Sequence, residues 1–123
     1  MKRRLLLPLA LGAAGLAFAA QTQAMSAPKL KGTVGPGFTI KLVDSTGKKV
    51  STLKPGKYTF VVTDKASIHN FVLEQEKGGK FEKAITGVGF TGMKTVTITL
   101  TKGKWKFYCK PHESSMFGDF TVK

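Results

Sequence analysis

The residues with most chemistry to offer lie near the C-terminus, in Cys109-Lys-Pro-His112-Glu-Ser-Ser-Met116, with His69-Asn70-Phe71 well upstream. These two segments hold the only cysteine and both histidines of the 123-residue chain. One thiolate, two imidazoles and a thioether make a soft donor set. It suits a trigonal His2Cys plane with a weak axial Met, the arrangement in which copper does one-electron chemistry. Each residue alone has a plainer reading: His69 as a partly buried, hydrogen-bonded histidine, Met116 as flexible core filler. Together those readings demand several coincidences. Zinc also accepts Cys and His, but a structural zinc site uses more than one Cys or closely paired His and has no use for a thioether. The set points to copper.

The start of the chain sets the compartment. Lys2, Arg3 and Arg4 precede an apolar stretch from Leu5 to Ala20, and Ala17-Phe-Ala19 and Thr22-Gln-Ala24 offer small-residue cleavage sites. This is the pattern of an export signal over residues 1–24, cleaved near 19 or 24. Read as a membrane anchor, the stretch is short for a bilayer span of ~20 apolar residues. The expected location is the periplasm or the cell exterior, with no transmembrane span after cleavage. There a lone cysteine has no internal disulfide partner. An inert buried thiol or an intermolecular disulfide would leave His112, three residues on, unexplained; a metal-held thiolate explains it.

Cleavage after Ala19 removes three of the 20 basic residues and none of the 7 acidic ones, so a formal charge of about +10 remains. Export and the lack of aromatic–basic interleaving argue against nucleic acid as the partner. The lysines run along the whole chain as a solvated surface, with an acidic partner protein or an anionic envelope surface as their functional use.

These ligands have to be positioned by strands. Phe38–Val43, Lys57–Thr63, Ile68–Gln75, Lys94–Leu100, Lys104–Cys109 and Phe117–Lys123 carry period-two or β-rich patterns, separated by turns such as Asp44-Ser-Thr-Gly47 and Lys54-Pro-Gly56. Met25–Leu30 reads as a polar lead-in and Glu76–Gly92 as an irregular, glycine-bearing loop. No helix follows those glycines, so a phosphate-binding loop is discounted. The fold expected is all-β: an antiparallel Greek-key sandwich formed by one domain, residues 25–123. Alternation puts Trp105, Phe107 and Cys109 on the core face and Lys104, Lys106 and Tyr108 on the other. The chain turns at Pro111 to bring back His112 and Met116, and His69 is expected on a strand of the opposite sheet.

The chain resembles the cupredoxins, the small plastocyanin/azurin-like blue copper proteins, from about Val34 to Lys123. The resemblance rests on His69-Asn70-Phe71, on Phe107-Tyr108-Cys109, and on Cys-x-Pro-His followed by Met. Plastocyanins and pseudoazurins have C-x2-H-x4-M, amicyanins C-x2-H-x2-M and azurins C-x4-H-x3-M. Here the spacing is C-x2-H-x3-M, which matches none of the three. The resemblance implies one type 1 copper ion with His69, Cys109 and His112 as equatorial ligands and Met116 as the axial one. It also implies that Asn70 ties the two ligand segments together. Pro111, lacking an N–H, withholds a hydrogen bond from the sulfur.

The function implied is that of a monomeric electron carrier cycling Cu(I) and Cu(II) between redox partners, such as an acidic cytochrome or a copper enzyme. His112 would be its port, with Phe117 and some of Val88, Phe90 and Met93 as an apolar rim. No catalytic residue is assigned, because two histidines leave none for a second metal centre. A copper-binding chaperone or resistance protein is the alternative, although nothing here is Met-rich. A recognition module within a larger envelope complex is a third.

Overall fold

The computed structural model describes residues 26–123, together with Gly12 and Gly15. The expected signal segment, residues 1–24, otherwise lies outside the described residues. Nine strands follow: β1 Lys29–Val34, β2 Ile40–Asp44, β3 Thr52–Leu53, β4 Gly56–Asp64, β5 Phe71–Lys77, β6 Glu82–Thr86, β7 Gly92–Leu100, β8 Gly103–Tyr108 and β9 Phe117–Val122. They form a four-stranded sheet in the order β2-β1-β4-β7 and a five-stranded sheet in the order β3-β9-β8-β5-β6. No helix among the described residues is long and apolar enough to cross a membrane.

The expected sandwich is present, but it is not antiparallel throughout. β1 runs parallel to β4, and β3 parallel to β9. The cause is the path of the chain. After the β1–β2 hairpin it visits the other sheet as β3, then returns as β4 on the free side of β1, entering from the same end.

Alternation builds the core. Leu30 and Val34 of β1, Tyr58, Phe60 and Val62 of β4, Ile98 and Leu100 of β7, and Trp105 and Phe107 of β8 all face inward. At the centre, the rings of Phe71 and Phe107 stack with centroids 5.7 Å apart and planes within 3°. Each ring abuts a glycine of a different sheet. A Cβ on Gly32 would come within 2.9 Å of the Phe71 ring, and one on Gly118 would collide with that of Phe107. Both glycines supply the room the two aromatics occupy.

Three strands escape the sequence reading, the two-residue β3 among them. β1 starts within the supposed lead-in, and β6 lies inside the supposed loop. β5 begins at Phe71, so His69 sits on the segment leading into it rather than on a strand. That segment is the connection that crosses from β4 of the four-stranded sheet to β5 of the five-stranded one. His69 is therefore brought in from the crossing between the sheets, not from a strand of the opposite sheet.

Candidate metal centre

β8 and β9 pair in register up to Tyr108 and Phe117. The next residues along, Cys109 and Met116, close the loop by one further bond, Cys109 N–H to Met116 O at 3.0 Å. Inside that closure the chain makes a 3-10 turn over Lys110–His112, with Pro111 supplying the pre-set φ of its first turn. His112 N–H donates to Cys109 O (3.1 Å), and Met116 N–H donates to His112 O (2.9 Å). The loop thus carries its own backbone bonding and needs little from the rest of the protein to hold its shape.

His69 is placed by a turn in the β4–β5 connection, its N–H donating to Ala66 O at 3.2 Å. Asn70, next to it and buried, accepts from Lys110 N–H through Oδ1 at 2.8 Å. This bond joins the segment that holds His69 to the one that holds Cys109 and His112.

Three side-chain atoms converge. His69 Nδ1 and His112 Nδ1 are 3.1 Å apart, and Cys109 Sγ lies 3.7 Å from the first and 3.6 Å from the second. Among the described residues these form the cluster of side chains suited to hold a metal. A point in their plane lies about 2.0 Å from all three, near the metal–imidazole bond length. The donors fit a trigonally held ion. His69 and Cys109 are fully buried, while His112 is half-buried and forms the edge of the cluster nearest solvent. Met116 is 1 % exposed and belongs to the same core cluster. That cluster includes Cys109. His69 Nε2, on the far side of that ring, is buried without a protein partner.

The surroundings are apolar on the solvent side. Among the described residues, the exposed large apolar side chains are Phe38, Ile68, Val88, Met93 and Phe117. All five lie in or beside the loops at the donor end of the sandwich. Phe38 meets both imidazoles edge-on, with centroids 5.3 Å from His69 and 4.9 Å from His112. Sequence reading missed Phe38 and Ile68 as rim residues, having placed each at the start of a strand. The glycines and proline of Gly35-Pro-Gly-Phe38 were the available signal for a loop. Phe90, one of the expected rim residues, is instead half-buried beneath the Lys94 ammonium, 4.7 Å from its ring centroid.

Tyr108 points outward as alternation requires, yet it is 4 % exposed because neighbours cover it. Its hydroxyl donates to Glu82 at 2.7 Å, and the Lys106 ammonium lies 5.2 Å from its ring centroid. Burial first, and then that hydrogen bond, push the phenol well above its ordinary pKa.

Replacing Asn70 with Ala removes the acceptor of Lys110 N–H and leaves that donor part-buried. The expected cost is about 1–2 kcal/mol of stability in the metal-free protein, read from urea denaturation. An unchanged midpoint would mean that the two segments are held together by something else.

A family model of copper-binding proteins, the plastocyanin/azurin family, matches residues 43–123. No curated protein matches the chain. Among solved structures, rusticyanin from Thiobacillus ferrooxidans is similar at 24% identity with a TM-score of 0.50, over 77% of this chain and 76% of that one. Reduced rusticyanin matches at 21% identity with a TM-score of 0.52, over 82% of each chain. At these identities the likeness shows the fold.

Proposed function

Because the chain belongs to the plastocyanin/azurin family of copper-binding proteins, we propose that it is an exported carrier of single electrons between redox partners. Its cofactor is one type 1 copper ion. We assign His69, Cys109 and His112 as the equatorial ligands and Met116 as the axial donor. The observation that supports this best is the convergence of two imidazole nitrogens and the Cys109 sulfur, 3.1–3.7 Å from one another, around one point.

When bound, copper supplies the one-electron Cu(I)/Cu(II) couple. The chain's own residues supply rigidity, exclusion of water and access. Buried Cys109 and His69 are fixed by the core, and the Asn70–Lys110 bond keeps their segments from drifting apart. Such pre-organisation lets both oxidation states share one geometry. Pro111 leaves the sulfur without a backbone donor at that position, which raises the electron density available to the ion. His112, half-buried and flanked by Phe38, is the short path from the centre to the surface. The rim of Phe38, Ile68, Val88, Met93 and Phe117 suits the small, transient contacts of electron transfer. Exposed Lys65, Lys94 and Lys110 at the same end favour an acidic partner. No bond-making catalysis is assigned, since both histidines are already used. The N-terminal pattern supports export, and a monomer suffices for this role.

The test is repeated chemical reduction and reoxidation of copper-loaded protein in the presence of a Cu(I) chelator. Copper content is expected to stay at one ion per chain through many cycles. Loss of copper on each reduction would instead make the ion a cargo, as in a copper chaperone. Met116→Leu should keep the colour of the oxidised protein and raise its reduction potential, because a weak donor that stabilises Cu(II) is removed. An unchanged potential would show that Met116 is not the axial ligand.

A further inference from the structure

The acidic residues are not distributed as the lysines are. Of the 7 in the chain, Glu74, Glu76, Glu82, Glu113 and Asp119 lie on or beside the outer face of the five-stranded sheet. There Glu74, Lys106 and Asp119 are cross-strand neighbours, Glu82 accepts from Tyr108, and Glu113 pairs with Lys106 at 3.0 Å. The other two are occupied within the fold. Asp44 turns back on its own hairpin, accepting from Thr46 N–H, Thr46 Oγ1 and Lys48 N–H. Asp64 is 2 % exposed and accepts from Ala66 N–H.

The outer face of the four-stranded sheet is left with lysines alone. Leu30, Leu42 and Tyr58 point into the core, so Lys29 and Lys31 of β1, Lys41 of β2 and Lys57 of β4 point out, and all four are exposed. Register places Lys31 opposite Val43, and Lys41 opposite Thr33 two residues further along β1. Lys31 and Lys41 are therefore diagonal neighbours about 7–8 Å apart. Between and beside the lysines stand Thr33, Thr59, Thr63, Thr95, Thr97 and Thr99. Among the described residues the one ion pair is Lys106–Glu113, so none of these four ammonium groups has a carboxylate within bonding distance.

We propose that this lysine–threonine face binds the surface of an anionic lipid bilayer. Single-sign charge spread over several strands attracts a diffuse anionic surface. A specific protein partner would need a buried aromatic or arginine anchor, and the exposed aromatics of this protein sit at the donor end instead. The outer face of the opposite sheet mixes its five carboxylates with Lys104 and Lys106 and is attracted far less by the same surface, so the protein settles in one orientation. In that orientation the loops holding His69 and His112 lie at the side of the molecule, free to meet a partner moving along the membrane. The lysines nearest the rim, Lys65, Lys94 and Lys110, are not part of the face.

Co-sedimentation of copper-loaded protein, purified after export, with phosphatidylglycerol-containing vesicles tests this against pure phosphatidylcholine vesicles. Binding to the anionic vesicles is expected to be at least about tenfold stronger and to fall steeply with added salt. The fourfold variant Lys29→Gln, Lys31→Gln, Lys41→Gln, Lys57→Gln should lose about tenfold or more of it. An equal charge change placed elsewhere, Lys80→Gln, Lys83→Gln, Lys102→Gln, Lys123→Gln, should lose less than about threefold. The visible spectrum of both variants reports an intact centre, separately from vesicle binding. Equal losses in the two variants would overturn the proposal, reducing it to net charge. So would equal binding to neutral vesicles, or capture of a soluble acidic protein through these lysines with no vesicle binding.

Discussion

Copper-loaded protein carrying Cys109→Ser is expected to lose its intense visible absorption entirely. The band of a type 1 centre comes from charge transfer between a thiolate and Cu(II), and a hydroxyl is neither soft nor ionised at neutral pH. Here the sulfur is fully buried and stands 3.6–3.7 Å from two ring nitrogens, so no other sulfur donor can substitute in the plane. Serine is smaller than cysteine and keeps the Cys109 N–H to Met116 O bond, which is a backbone contact. The fold should survive, and circular dichroism would verify that it does. Colour that persists in the folded variant would end the type 1 assignment.

The second large effect is on stability. Gly118→Val should lower stability by about 3 kcal/mol or more, because the new side chain enters the space of the Phe107 ring. That ring cannot retreat: it is stacked on Phe71, which in turn lies against Gly32 of the opposite sheet. The melting temperature of the metal-free protein should drop by about 10 °C or more. Gly37→Val, where nothing lies within 4 Å of the added Cβ, is the control and should change little. A normal melting temperature for Gly118→Val would show that the aromatic pair has slack the packing does not reveal.

The cluster was legible in part because Cys109 and His112 lie within one short stretch, where spacing alone brings them together. Its third member, His69, was legible by residue type but not by setting. Ile68 and His69 continue the apolar pattern of Phe71–Leu73 backwards, yet Ile68 is 53 % exposed on the rim and no strand exists there. β1 alternates cleanly, but Gly32 stands at a core position and hides the pattern. It has no side chain because Phe71, far away in sequence, occupies that room. β6 offers little but Ile85 and Thr86 to the interior and exposes Glu82, Lys83 and Ala84, so it reads as loop. β3 has only two residues and leaves no periodicity to detect. Charge segregation was invisible for another reason. Lysines and carboxylates alternate with apolar residues in most strands, and only the assignment of strands to sheets decides which face each one joins.

The loop that carries Cys109, His112 and Met116 begins and ends on one rung of the β8–β9 ladder, closed by a backbone bond. The backbone hydrogen bonds inside that rung run within the loop or, through Asn70, to one neighbour. Adding or deleting a residue between His112 and Met116 would change the arc without shifting a strand or a core contact. The loop is in effect a replaceable cassette. That is why its C-x2-H-x3-M spacing can differ from those of plastocyanins, amicyanins and azurins while the sandwich beneath stays the same. Variation in such a protein has a low-cost direction: the span that tunes the metal can be lengthened or shortened separately from the body that keeps it folded.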